Sequence, residues 1–240
     1  MNNKKDNSPI VCFKDVCLTY GSKTVLNNLT FNIYPKEIVS IAGPSGSGKS
    51  TILKLMAGLI KPDSGEITIH ATRFGMAFQY AALFNSMTVW ANIALALQET
   101  THLTTQEIDN RVKESLKTVA LEGTDELYPE ELSGGMQKRV SIARALALKP
   151  EIILYDEPST GLDPVTAANL EADIVRLRQE IGVTSIAVSH DIDTIKRISD
   201  RVFILDKGYV VWNGTIDQFL IDMSPYPCSF RERKSLKDCE

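Results

Sequence analysis

Residues 43–51 read Gly43-Pro44-Ser45-Gly46-Ser47-Gly48-Lys49-Ser50-Thr51. This is the pattern G-x-x-x-x-G-K-[ST], set between the apolar run 38–42 and a helical run that reaches residue 59. Strand, glycine-rich loop and helix together make a phosphate cradle. The glycines let backbone N–H groups turn onto the α- and β-phosphates, and the helix start adds the positive end of its dipole. Lys49 reaches the β- and γ-phosphates as a point charge, and the Ser50 hydroxyl stands where it can ligate Mg²⁺. A flexible strand-to-helix turn is the plainer reading. The flanking pattern favours the cradle, so a nucleoside triphosphate is the expected ligand.

Other residues of chemical interest sit further along. Asp156 and Glu157 close the short apolar run 152–155. Asp156 is placed to hold Mg²⁺, directly or through water. Glu157 points differently and is the candidate to activate the attacking water. A solvated acidic turn is the alternative. Leu132-Ser133-Gly134-Gly135-Met136-Gln137 opens a second helix. Ser133 suits an N-cap, but each glycine behind it weakens the helix by about 1 kcal/mol relative to Ala. Ser133, Gly134 and Gly135 therefore read as a second anion-binding helix start. Gln79 and His190 each follow an apparent strand, although a lone histidine is most often structural. Tyr20 ends the first strand; by position alone it reads more simply as a half-buried strand tyrosine than as a ring stacked on a base.

The elements that must position these groups follow from periodicity. Strands are expected over 10–20 and 25–33, with Asn27-Asn28 as a turn or bulge, forming an antiparallel sheet. Short strands follow over 66–70 and 74–78. The stretch 81–97 is small and apolar, with a helical run opening at Met87. Ile108, Val112, Leu116 and Val119 share one face of the next helix. A helix through residue 147 leads to the strand 152–155, and a loop at 159–164 leads to a helix ending near 180. Then come a strand over 183–189, a helix over 192–198, strands over 201–205 and 209–212 about a Lys207-Gly208 turn, and a helix over 215–221. Gly43, Gln79, Asp156 and His190 all lie at C-terminal strand ends, the edge where open parallel α/β sheets bind ligands. The expected fold is α/β: a phosphate-loop NTPase with a mostly parallel sheet, an N-terminal antiparallel β sub-domain and an inserted helical sub-domain. Residues 1–222 form one nucleotide-binding domain in this reading. Within it, 1–79 and 138–222 are the nucleotide-binding core with its β sub-domain, 80–137 is helical, and 223–240 is a tail.

Composition narrows the classes. The chain has 240 residues, 43% of them hydrophobic and 23% charged, as in ordinary globular proteins. A net charge of −4 argues against broad nucleic-acid binding. No apolar run approaches a membrane span. Residues 1–8 are polar and lack the apolar core of a signal peptide. The four cysteines, Cys12, Cys17, Cys228 and Cys239, form no C-x-x-C pair, which argues against zinc and fits a reduced cytosolic setting without disulfides. Pro225, Pro227 and the charged run 231–234 predict an irregular tail, solvated rather than docked on a partner or an acidic membrane.

Taken together and in order, these residues resemble the ATP-binding-cassette (ABC) ATPases over roughly 13–220. The phosphate loop matches residues 43–51, the glutamine loop Gln79, and the signature L-S-G-G-x-Q residues 132–137. Asp156 and Glu157 match the magnesium aspartate and the catalytic glutamate, 159–163 the loop ending in Asp163, and His190 the switch histidine. The resemblance makes Tyr20 the aromatic that stacks on adenine. It implies ATP and Mg²⁺ as cofactors and RecA-like core architecture. It also implies two copies that sandwich two ATP molecules, with each phosphate loop facing the other copy's Ser133, Gly134 and Gly135. In that arrangement Glu157 polarises the water, His190 braces it and the γ-phosphate, and Lys49 shares the γ-phosphate charge. Gln79 senses the γ-phosphate or metal and links it to the helical part.

In transporters of this family the cycle drives separate membrane permease subunits. Residues 78–89 are similar to the corresponding stretch of Mce-associated, Mla-type lipid transport ATPases. This implies phospholipid or related lipid transport, a permease partner, a Mce-type substrate-binding protein, and a peripheral position on the inner face of the cell membrane. The alternatives are an ABC importer or exporter of another substrate and a soluble ABC ATPase of the iron–sulfur assembly type. A DNA-repair or chromosome ATPase would need a long coiled coil that the chain lacks. One departure stands out. Between Gly65 and Gln79 only residues 66–78 bridge a stretch that is longer in the usual family member, so the antiparallel part should be trimmed.

Overall fold

The computed structural model describes residues 8–239. The polar stretch read at 1–8 lies, apart from Ser8, outside them. The N-terminal part holds β1 (Val11–Tyr20), β2 (Lys23–Ile33), β3 (Ile38–Ala42), α1 (Lys49–Met56), β4 (Ser64–Ile69) and β5 (Phe74–Ala77). The middle is helical: α2 (Val89–Thr100), α3 (Thr105–Thr118), a 3₁₀ turn (Pro129–Glu131) and α4 (Gly134–Ala147). There follow β6 (Ile152–Asp156), α5 (Pro164–Ile181), β7 (Thr184–Val188), α6 (Ile192–Ile198), β8 (Arg201–Asp206), β9 (Tyr209–Thr215), α7 (Ile216–Ile221) and α8 (Pro225–Glu232).

The strands build two sheets. β2, β1 and β4 form an antiparallel sheet in that order. The second sheet runs β5-β6-β7-β3-β8-β9; its strands are parallel except β9, which returns as a hairpin on β8. β3 and β7 are buried along their whole length, which is why they read as mainly apolar runs, with only the small polar residues Ser40, Thr184 and Ser185 among them, rather than alternating ones. Alternation is still present, but both faces are covered. Ile153 and Tyr155 of β6 join the core shared with α4 and α5, including Val140 and Ile174. Ile152 and Leu154 face the other way, onto Ile52 and Leu53 of α1 and the antiparallel sheet. Phe31 joins the sheets: its ring stacks on Phe13 at 4.5 Å between centroids and meets Phe203 at 5.1 Å.

β1 alternates until Asp15, whose φ of 52° marks a bulge in both of its pairings. Asn28, with φ 54°, sits at the bulge anticipated in β2. After β4 the chain needs only residues 70–73 to reach β5 at the edge of the larger sheet. The antiparallel part is three strands wide.

Local signals set the helices. Thr88 caps α2, and Thr104 with Glu107 forms a reciprocal capping box on α3. Ile93, Leu97, Val112 and Leu116 pack α2 and α3 with Val140 of α4. Buried Asn92 ties down the loop before α2: it accepts from the Phe84 N–H at 2.7 Å and donates to the carbonyls of Phe84, Met87 and Thr88.

The irregular tail expected from residue 224 is instead ordered. Pro225 stands at the first helical position of α8, where its missing N–H costs nothing and its fixed φ suits the helix. Tyr226 and Phe230, one turn apart, then pack against the cluster around Phe219. Arg231 donates to the carbonyls of Phe219 and Asp222. A 3₁₀ turn, Leu236–Cys239, folds back and brings Cys239 Sγ to 2.7 Å from Cys228 Sγ; all four cysteines are free thiols.

Candidate nucleotide site

Four neighbouring strands end on one cleft. Across the sheet edge, β5 delivers Gln79, β6 delivers Asp156 and Glu157, β7 delivers His190, and β3 delivers Gly43. The cleft encloses about 750 Å³, the size of a small-molecule site. Its walls also include Tyr20, Pro44, Ser45, Gly46, Gly48, Lys49, Ser50 and Thr51.

The phosphate loop has little room to be anything but glycine-rich. Gly43 has φ 146°, and a Cβ there would stand 2.1 Å from the Leu205 carbonyl oxygen. Gly48 gives α1 no side-chain cap, and no acid occupies the first turn of α1. The positive helix end is therefore left to face the cleft. Lys49 is only 8% exposed, and its ammonium donates to the carbonyls of Gly43 at 2.9 Å and Pro44 at 3.0 Å. Burial pushes its pKa down, while the Glu157 and Asp156 carboxylates oppose the shift. Ser47 turns inward instead and is buried behind the loop.

The acids divide as their environments require. Burial raises the Asp156 pKa, only partly offset by the Ser50 hydroxyl, 3.3 Å away, and by Lys49 and Lys54. A half-buried carboxylate beside a hydroxyl, open to a cleft, suits a small hard cation. Among the described residues no cluster of three His, Cys, Asp or Glu side chains offers a metal site of its own. A cation here would depend on Ser50, Asp156 and the phosphates. Glu157 has φ 51°, the left-handed region, which turns its side chain away from that of Asp156. Its carboxylate lies 2.8 Å from His190 Nδ1 and accepts from Thr160 Oγ1 at 2.9 Å. Its amide donates to the Val188 carbonyl, which fixes it against β7.

Ser133, Gly134, Gly135 and Asp163 do not reach this cleft. Ser133 caps α4, accepting from Met136 N–H at 3.3 Å. Asp163 caps α5, accepting from Val165 and Thr166 N–H groups. Gly135 lets these two helix starts approach: a Cβ would fall 2.4 Å from Thr166 Cγ2. Several participants escape sequence reasoning. Val25 and Phe230 line the cleft, and Thr160 orders Glu157. Arg144 of α4 donates to the carbonyls of Ala81 and Ala82, just after Gln79, both in left-handed backbone. Thr160 sits three residues after Glu157, a spacing that a turn search would have found; the others carry no local signal.

Comparison with known proteins bears on what this cleft is. The profile of the family described as ABC transporter matches residues 26–160, more than half of the chain. The chain belongs to the ABC transporter ATPase family. The cassette is 36% identical over 248 residues to the intermembrane phospholipid transport system ATP-binding protein MlaF of Escherichia coli K12, covering 92% of each chain. It is 40% identical over 215 residues to the Fe(3+) ions import ATP-binding protein FbpC of Vibrio cholerae, covering 85% of this chain and 61% of that one. Among solved structures it resembles the dimeric, post-hydrolysis ATP-binding cassette MJ0796 bound to ADP and Pi. That likeness has a TM-score of 0.78 at 35% identity and covers 86% of this chain and 98% of that one. The cassette is an ATP-binding, ATP-hydrolysing subunit with the expected α/β fold. Among the described residues no helix is long and apolar enough to cross a membrane.

Proposed function

We propose that this ATPase works as a pair, each copy completing the other's site, and energises a separate membrane permease that moves phospholipid or a related lipid. The observation that carries the pairing is the placement of Ser133, Gly134 and Gly135. They form a helix start with exposed Ser133 and Gly134, outside the cleft that the chain's own phosphate loop lines. One copy therefore presents half of a phosphate site on each of two surfaces. The neighbour MJ0796 is described as a dimer, which supports this reading. The division into a nucleotide core (1–79, 138–222), a helical part (80–137) and a tail (223–240) is part of the proposal.

Within the pair, Tyr20 stacks on adenine and residues 43–51 hold the phosphates. Ser50 and Asp156 hold Mg²⁺, with Gln79 at the same wall; when bound, the ion neutralises phosphate charge. Glu157, kept in place by Thr160 and His190, takes the proton of the attacking water. His190 also faces the γ-phosphate. Gln79 opens the loop that Arg144 ties to α4, so γ-phosphate contact is passed towards the helical part, where a permease docks.

The lipid assignment is supported by the MlaF relative, matched over nearly the whole of both chains. The FbpC relative favours a second reading, an importer of another substrate. The permease that co-purifies with the tagged chain separates them. A lipid permease, with or without a Mce-type protein, places the ATPase at the inner face of the cell membrane and supports the proposal. Recovery with soluble scaffold proteins alone would sink the transport reading.

A further inference from the structure

The helix that opens with Ser133 also grips the loop that carries Glu157. Lys138 lies on α4, half-buried and away from the nucleotide cleft. Its ammonium donates to the carbonyls of Thr160 at 2.7 Å and Pro158 at 2.8 Å, and more weakly to that of Glu157 at 3.4 Å. An ammonium has three protons and no acceptor, so these contacts use all of its capacity.

The loop has reason to need such a grip. Left-handed backbone is sterically unfavourable for a residue other than glycine, and Glu157 adopts it. The 157–160 turn closes on itself through Thr160 N–H to the Glu157 carbonyl at 3.3 Å. It thereby aims three carbonyl oxygens at one point, within electrostatic reach of the Glu157 carboxylate. Gathered dipole ends of one sign repel unless a cation sits among them. Lys138 is that cation, and the same turn carries the Thr160 hydroxyl that fixes the carboxylate.

We infer that Lys138 is a positioning residue for hydrolysis, acting from α4 through the 157–160 turn on the Glu157 carboxylate. Because Ser133 caps the start of α4, the same contact joins the surface that meets the second copy's ATP to the base of the chain's own site. This second part rests on the paired reading above.

The test uses the full chain. Lys138→Met should lower kcat about tenfold to a hundredfold, the cost of a misplaced group. The Kd for ATP should stay within about twofold, because no cleft residue changes. Lys138→Arg, which keeps charge and donors, should recover most of the lost turnover. In a Glu157→Gln background Lys138→Met should cause no further loss, since both act through one carboxylate. Should the Met variant fail to fold, Lys138→Gln carries the same comparisons. Unchanged kcat, an equal loss of ATP affinity, or the same fold-loss in the Glu157→Gln background would each overturn the inference. For the joining of sites, turnover against ATP concentration should be cooperative in the parent and hyperbolic in Lys138→Met; cooperativity that persists would overturn that part. If Glu157→Gln alone fails to dimerise with ATP, the paired reading falls instead, and the kcat comparisons still judge Lys138.

Discussion

Replacing Glu157 by Gln tests the chemistry of the cleft with little change of shape. The carboxylate serves two partners, Thr160 Oγ1 at 2.9 Å and His190 Nδ1 at 2.8 Å. An amide keeps one acceptor oxygen for one partner and offers an N–H donor to the other, so the contacts can be kept, but no basic oxygen remains to receive a proton. A positioned general base contributes about 10²–10⁴-fold to rate. Lys49, the phosphate loop and His190 stay in place, so only this contribution is removed. The expected fall in kcat is about 10²–10³-fold, or roughly 2.7–4 kcal/mol of barrier. ATP binding should hold or tighten, because the loop is untouched and one negative charge beside the phosphates is gone. Single-turnover phosphate release gives the first quantity and titration of a fluorescent ATP analogue the second. With hydrolysis blocked, size-exclusion chromatography should show an ATP-dependent dimer. A kcat within about fivefold of the parent would refute Glu157 as the base, since no positioned base is worth so little.

Other substitutions probe separate parts. Ser133→Arg should leave ATP binding to the single chain intact and abolish ATP-driven dimerisation in the Glu157→Gln background; a persisting dimer would count against a shared site. Gly135→Ala sets a gain in helix propensity of about 1 kcal/mol against the clash with Thr166 Cγ2. It should be more favourable in a Thr166→Ser background than in the parent, and equal melting shifts in both would disprove the contact. Asp156 titrates above its ordinary range when folded, so its contribution to stability is full below about pH 4 and is lost as pH rises through the raised value. Asp156→Asn, measured without nucleotide, should therefore melt higher than the parent near neutral pH, with the gap closing towards acid. Parallel pH profiles would reject burial as the cause.

What could be read from sequence was whatever is encoded within a few residues. The strands β3, β6 and β7 announce themselves because burial on both faces demands runs of apolar residues in which only small polar ones such as Ser40, Thr184 and Ser185 are admitted. Gly43, Glu157 and His190 could be placed because each directly follows such a run. Lys138 and Arg144 were invisible for the opposite reason. On a helical wheel they are ordinary charged residues, and their meaning lies in carbonyls roughly 20 and 60 positions away along the chain. The tail differs from its sequence pattern because two prolines and a charged run usually signal irregular chain. Their effect depends on register, and at the first turn of α8 proline favours the helix.

The adjacency of β5, β6, β7 and β3 has a consequence for how this protein tolerates change. Neighbouring strands are held about 4.8 Å apart by their own hydrogen bonds. The spacing from Gln79 to Glu157 to His190 to the phosphate loop is therefore a lattice constant of the sheet, independent of the loops that run between strands. Residues can be gained or lost in those connections without moving one catalytic group relative to another, provided each strand keeps its register. The link between β4 and β5 is already as short as four residues, 70–73. Deletions elsewhere should be survivable in the same way, whereas a single residue inserted within β6 would rotate Asp156 and Glu157 out of the site while leaving the chain nearly its original length.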